Sequence, residues 1–202
     1  MTRCLAAPTL DRRRLAALLS VSAVVATCAL AMTASSASAH RWGSWHWNRT
    51  GSYIPIYVYN SASTSATAER ARADIHARPH PIYLYNASSH TNISVFDENV
   101  SGANYCGLAQ IMSYSSGYHI THAHARYNRA CGGNGGTGPN YAQGVYSQEI
   151  GHTLGLDHSN TGDSMGLGYY SGSNGRYCFG LSCNTGSSSH PSNDLYNMYR
   201  YH

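Results

Sequence analysis

The densest run of chemically competent side chains is Gln148-Glu149-Ile150-Gly151-His152-Thr153-Leu154-Gly155-Leu156-Asp157-His158. In a helix, side chains four positions apart stand one above the other, so positions 148 and 152 aim at a common external point. Donors so placed form half of a metal site. Glu149, one residue on, sits beside that point, where a carboxylate can take a proton from an activated water. Gly155 can adopt a left-handed conformation and stop the helix, letting the chain turn so that His158 reaches the same point. Three donors and one open position are the arrangement of a catalytic zinc.

This segment resembles the long zinc-binding motif of the metzincin metallopeptidases, His-Glu-x-x-His-x-x-Gly-x-x-His. Its ending, Gly155-Leu156-Asp157-His158-Ser159, is similar to that of matrixins and their small bacterial relatives. The resemblance implies that His152 and His158 hold Zn2+ and that Glu149 is the general base. It also implies that Met165, in Ser164-Met165-Gly166, forms the methionine turn beneath the metal. The activity implied is hydrolysis of a peptide or protein substrate by a zinc-bound water that Glu149 activates, with no covalent intermediate. The fold implied is α+β: a mixed, mostly parallel sheet with an antiparallel edge strand for extended substrate, an active-site helix and an irregular C-terminal part. Residues 120 to 128 would be that edge strand.

One position departs from the motif. Gln148 stands where the family has its first histidine, and an amide oxygen is a much weaker zinc ligand than an imidazole nitrogen. Three outcomes are open: Gln148 is the third ligand, another histidine replaces it, or the site has lost its metal. Two rivals to a peptidase follow. One is a catalytically inactive, metzincin-like protein that keeps the cleft to hold a peptide. The other is a small disulfide-stapled surface protein whose histidines are incidental.

The elements that must position these residues are legible in outline. Residues 53 to 59 alternate aromatic and aliphatic side chains and read as a strand, with Pro55 at its edge or beginning. Thr64 to Arg78, with Ala68, Ala71 and Ile75 on one face, reads as a helix that Pro79 ends. Residues 82 to 85 and 93 to 96 read as strands, and the strand-helix-strand order predicts a parallel pair. Residues 108 to 114 and 118 to 127 should form an antiparallel hairpin about a turn at 115 to 117. A glycine-rich loop then leads to Asn140 as N-cap of a helix running to Leu154. Beyond Gly155 the chain is dominated by Gly, Ser and Asn, and only residues 192 to 201 read as helical again.

The first 39 residues carry Arg3, Arg12, Arg13 and Arg14, an apolar run from Leu15 to Met32, and small residues ending in Ala37-Ser38-Ala39. They read as a signal peptide, against the rival reading of a membrane anchor. Residues 40 to 202 then form one secreted, extracellular, monomeric domain. Removing the leader takes four of thirteen basic residues and one of nine acidic ones, leaving nine against eight. That near-neutral balance excludes a nucleic-acid or membrane-surface footprint.

Four cysteines remain in the mature part, and export favours disulfides over thiols or a cysteine metal site. Three connectivities are possible; Cys106 with Cys131 and Cys178 with Cys183 close the shortest loops. His122 and His124 share one face of a strand and could hold a metal, but an exposed polar face is the reading preferred here. The scattered His40, His46, His76, His80, His90, His190 and His202 are expected on the surface.

Overall fold

The computed structural model describes residues 41–134, 139–158, 165 and 190–199. The expected signal segment, residues 1–39, and the expected pair Cys178 and Cys183 lie outside the described residues.

Among the described residues, six strands form one sheet: β1 (His46–Trp47), β2 (Ile54–Asn60), β3 (Ile82–Ala87), β4 (Ile93–Glu98), β5 (Gly107–Ser115) and β6 (His119–Asn128). The order is β1-β6-β4-β2-β3, with β5 paired to β6. Every pairing is parallel except that of β5 with β6. The fold is therefore a mixed α/β arrangement with a mostly parallel sheet and few helices. Along β2, Ile54, Ile56 and Val58 are buried while Pro55 and Tyr57 are exposed, the alternation a pleated strand requires when one face meets the core.

Helix α1 (Ser65–His76) connects β2 to β3 and buries Ala68, Ala71 and Ile75. Helix α2 (Pro139–Thr153) packs against α1, β5 and β6, and α3 (His190–Tyr199) contributes Leu195, Met198 and Tyr199 to the same core. From Val145 to Leu156 every residue of α2 and its following turn is buried. A helix enclosed on nearly all sides shows little amphipathic periodicity, and its polar side chains lie inside the protein.

Four expectations change. The antiparallel edge strand is β5, not residues 120–128. Strand β6 lies inside the sheet, with Ala123 and Ala125 buried and paired to β4 on one side and β5 on the other. Asn140 is not an N-cap, because α2 already begins at Pro139; proline suits the first helical position, where a backbone N–H has no partner within the helix. His46 and His80 are buried rather than on the surface. His80 joins α1 to β3: its Nε2–H donates to the Ile75 carbonyl, and its Nδ1 accepts the Ile82 N–H. His122 and His124 are half-buried rather than an exposed polar face.

Cys106 and Cys131 are bonded, with Cα atoms 5.1 Å apart. The bridge ties the start of β5 to the turn after β6, and such a loop contributes about 3 kcal/mol.

Candidate functional site

The end of α2 is built by a glycine. Gly155 has φ +91°. Its N–H donates to the His152 carbonyl at 2.9 Å, and the Leu156 N–H donates to the Gly151 carbonyl at 3.2 Å. These are the two bonds of a Schellman motif, which closes a helix by a left-handed residue and reverses the chain. A Cβ at 155 would lie 2.5 Å from the Trp45 carbonyl oxygen, so the position excludes a side chain on both conformational and steric grounds.

That reversal brings His158 back over His152. Their Nε2 atoms are 3.2 Å apart, with ring centroids 4.6 Å apart. His152 Nδ1 lies 2.8 Å from the Leu156 carbonyl. A carbonyl only accepts, so Nδ1 carries the proton and Nε2 presents a lone pair toward His158. Two nitrogens each about 2.0–2.1 Å from a tetrahedral zinc would stand about 3.3 Å apart. The pair fits such an ion in spacing and in protonation. Burial holds the His152 pKa down to about 4, an effect larger than the opposing one of the Leu156 carbonyl.

Gln148 is buried one helical turn before His152. Among the described residues no three His, Cys, Asp or Glu side chains converge, so a metal here would rely on two imidazoles and a neutral amide. Met165 is 2% exposed and belongs to the core; its neighbours Ser164 and Gly166 lie outside the described residues.

Glu149 is 6% exposed and accepts the backbone N–H of Ala109 on β5. Burial pushes its pKa up to about 8. Gly107, on the same strand, is what makes room for it: a Cβ there would fall 2.6 Å from Glu149 Cγ and from Val145 Cγ1. Sequence reading missed Gly107, since a glycine at the start of a strand carries no local sign of the side chain crossing it.

The buried carboxyl gives the metal-free protein a pH signature. Glu149 holds its proton in the fold up to about pH 8 but loses it near 4.5 when unfolded. Between those limits the native state binds one proton more than the unfolded chain, so stability falls as pH rises. His152 acts in the opposite sense, but only between about 4 and 6.5. Urea unfolding of chelator-treated protein should therefore show stability dropping from pH 6.5 to 8, and Glu149→Gln should remove the drop. A parent protein with no drop would show that the Glu149 carboxyl is not desolvated.

A second imidazole pair lies on the other face of the sheet. His122 Nε2 and His124 Nε2 are 3.0 Å apart, His122 Nδ1 donates to the Thr91 carbonyl at 2.6 Å, and His124 Nδ1 is enclosed without a hydrogen-bond partner. Burial, followed by the nearby His122 and Arg126, lowers the His124 pKa. No third His, Cys, Asp or Glu joins this pair among the described residues.

Trp47 and Tyr199 complete the setting of α2. Trp47 Nε1–H donates to the Thr153 carbonyl at 2.8 Å, the Tyr199 hydroxyl donates to the Leu154 carbonyl at 2.7 Å, and the Trp47 N–H donates to that hydroxyl at 3.0 Å. The last carbonyls of the helix, which lack partners within it, are thus satisfied by side chains from both ends of the described chain.

The sequence matches no family model and no curated protein. Among solved structures, the chain is similar to high choriolytic enzyme 1, a hatching-enzyme zinc protease from the medaka fish Oryzias latipes. The identity is 18% and the TM-score 0.44, with 79% of this chain and 96% of that chain covered.

Proposed function

We propose that this chain is a secreted zinc metallopeptidase of metzincin type, released by removal of residues 1–39. The observation that carries the reading is the His152–His158 pair: two Nε2 atoms 3.2 Å apart, with His152 Nδ1 committed to the Leu156 carbonyl. His152, His158 and Gln148 would hold the ion. Bound there, zinc supplies Lewis acidity that polarises a peptide carbonyl. Glu149 takes the proton of the attacking water and returns it to the leaving amine; the N–H of Ala109 holds its carboxyl in place. Strand β5, the antiparallel edge, receives an extended peptide as one more strand.

One observation favours a second reading, a peptide-binding protein without activity: the third donor is the neutral amide of Gln148.

Zinc stoichiometry and affinity of the exported chain test the proposal. One zinc per chain is expected, lost in His152→Ala. Gln148→His should tighten binding about tenfold or more, equivalent to about 1.4 kcal/mol. Unchanged affinity in that variant would place Gln148 away from the metal, and a parent chain without zinc would sink the peptidase reading.

A further inference from the structure

The imidazole of His152 is held by more than its own helix. Its Nδ1–H donates to the Leu156 carbonyl, so the orientation of the 155–156 peptide turn decides which ring nitrogen keeps a lone pair. That turn is itself gripped from outside. Leu156 forms an antiparallel bridge with Arg41, and the Gly155 carbonyl accepts the Trp42 N–H at 2.8 Å. The Trp42 ring then lies against the His152 ring, with centroids 5.3 Å apart and planes at 56°. Backbone and side chain of one residue thus meet both the turn and the imidazole.

We infer that Trp42 is a positioning residue for His152. Its N–H fixes the turn whose carbonyl selects the Nδ1–H form. Its half-buried indole closes one side of the imidazole, so that water does not compete for the Nδ1–H. A hydrogen bond sheltered from water is electrostatically stronger than an exposed one. A smaller apolar residue at 42 would keep the backbone bond but leave the ring free to turn and Leu156 open to water. The link to metal affinity rests on the zinc reading above; the link to the imidazole does not.

The experiment uses the full chain expressed for export, its Trp42→Ala and Trp42→Phe variants, and two measurements. The first is the long-range proton–nitrogen NMR spectrum of metal-free protein at neutral pH, which reports the tautomer of each histidine. The parent and Trp42→Phe should show His152 as a single Nδ1–H form, and Trp42→Ala a mixture. The second is zinc affinity by chelator competition: Trp42→Ala should weaken it about 10- to 100-fold, as loss of an outer partner of a ligating histidine does, with Trp42→Phe retaining most of it. Should the alanine chain not accumulate, Trp42→Leu, apolar but without a flat ring, is expected to give the same tautomer mixing. A single tautomer and parental affinity in the non-aromatic variant would overturn the inference. If the parent itself binds no zinc, the peptidase reading fails, while the tautomer still decides the role of Trp42.

Discussion

Glu149→Gln is expected to lower peptide hydrolysis by about 10²–10⁴-fold, the range that a positioned proton-transfer group contributes, while the protein keeps its zinc. The amide is nearly the same size and can still accept the Ala109 N–H, so the packing around Gly107 and Val145 need not change. What it lacks is a basic oxygen. In the metal-free state the carboxyl is already poised high, with a pKa of about 8, because burial disfavours its charge. A cation bound at the neighbouring imidazoles would favour that charge and restore the base. Rates on a quenched peptide library, measured beside zinc content, separate the two effects. Equal rates for parent and variant would remove Glu149 from the chemistry; equal loss of zinc and rate would make it a structural residue.

Gly155→Ala should destabilise the protein by about 1–3 kcal/mol for the left-handed backbone alone. The added Cβ also meets the Trp45 carbonyl oxygen at 2.5 Å, a backbone atom that no rotamer change can move. Relief requires the turn to open, and the turn carries both the Leu156 carbonyl that orients His152 and the path to His158. Zinc affinity should therefore fall together with the urea midpoint. Gly51→Ala is the control, because a Cβ there meets nothing within 4 Å and φ lies outside the left-handed region. Parental stability and zinc binding in Gly155→Ala would mean that the Schellman turn does not set the site.

Both changes fall on residues that spacing alone singles out, which shows what local pattern carries. Alternation in β2, the shared face of Ala68, Ala71 and Ile75 in α1, and the hairpin of β5 with β6 are short-range signals, and each element forms where periodicity places it. The glycine at 155 is legible for the same reason, since a helix end is a local event. Strand order is not. The aromatic segment at 42–47 pairs β1 with the beginning of β6, more than seventy residues away, and nothing in either stretch names the other. The enclosed helix α2 hides its faces because all of them are buried, so Gln148, Glu149 and His152 stand out by chemistry rather than by periodicity. Gly107, Trp42 and Tyr199 escaped because their partners are far off in the chain: a carboxyl, an imidazole and a helix end.

The clasp of Trp47 and Tyr199 on the last carbonyls of α2 has a consequence in time. These contacts join positions 106 and 152 residues apart, and pairings of such separation form late, after the loops between them have closed. A growing chain carries residues 148 to 158 well before Tyr199 emerges. Until then the helix end is held by Trp47 and its turn by residues 41 and 42, and the Leu154 carbonyl that the Tyr199 hydroxyl later binds waits on solvent. Formation of α3 thus adds the Tyr199 hydroxyl to the turn between His152 and His158, so the imidazole pair reaches its final setting only after residue 199 has emerged.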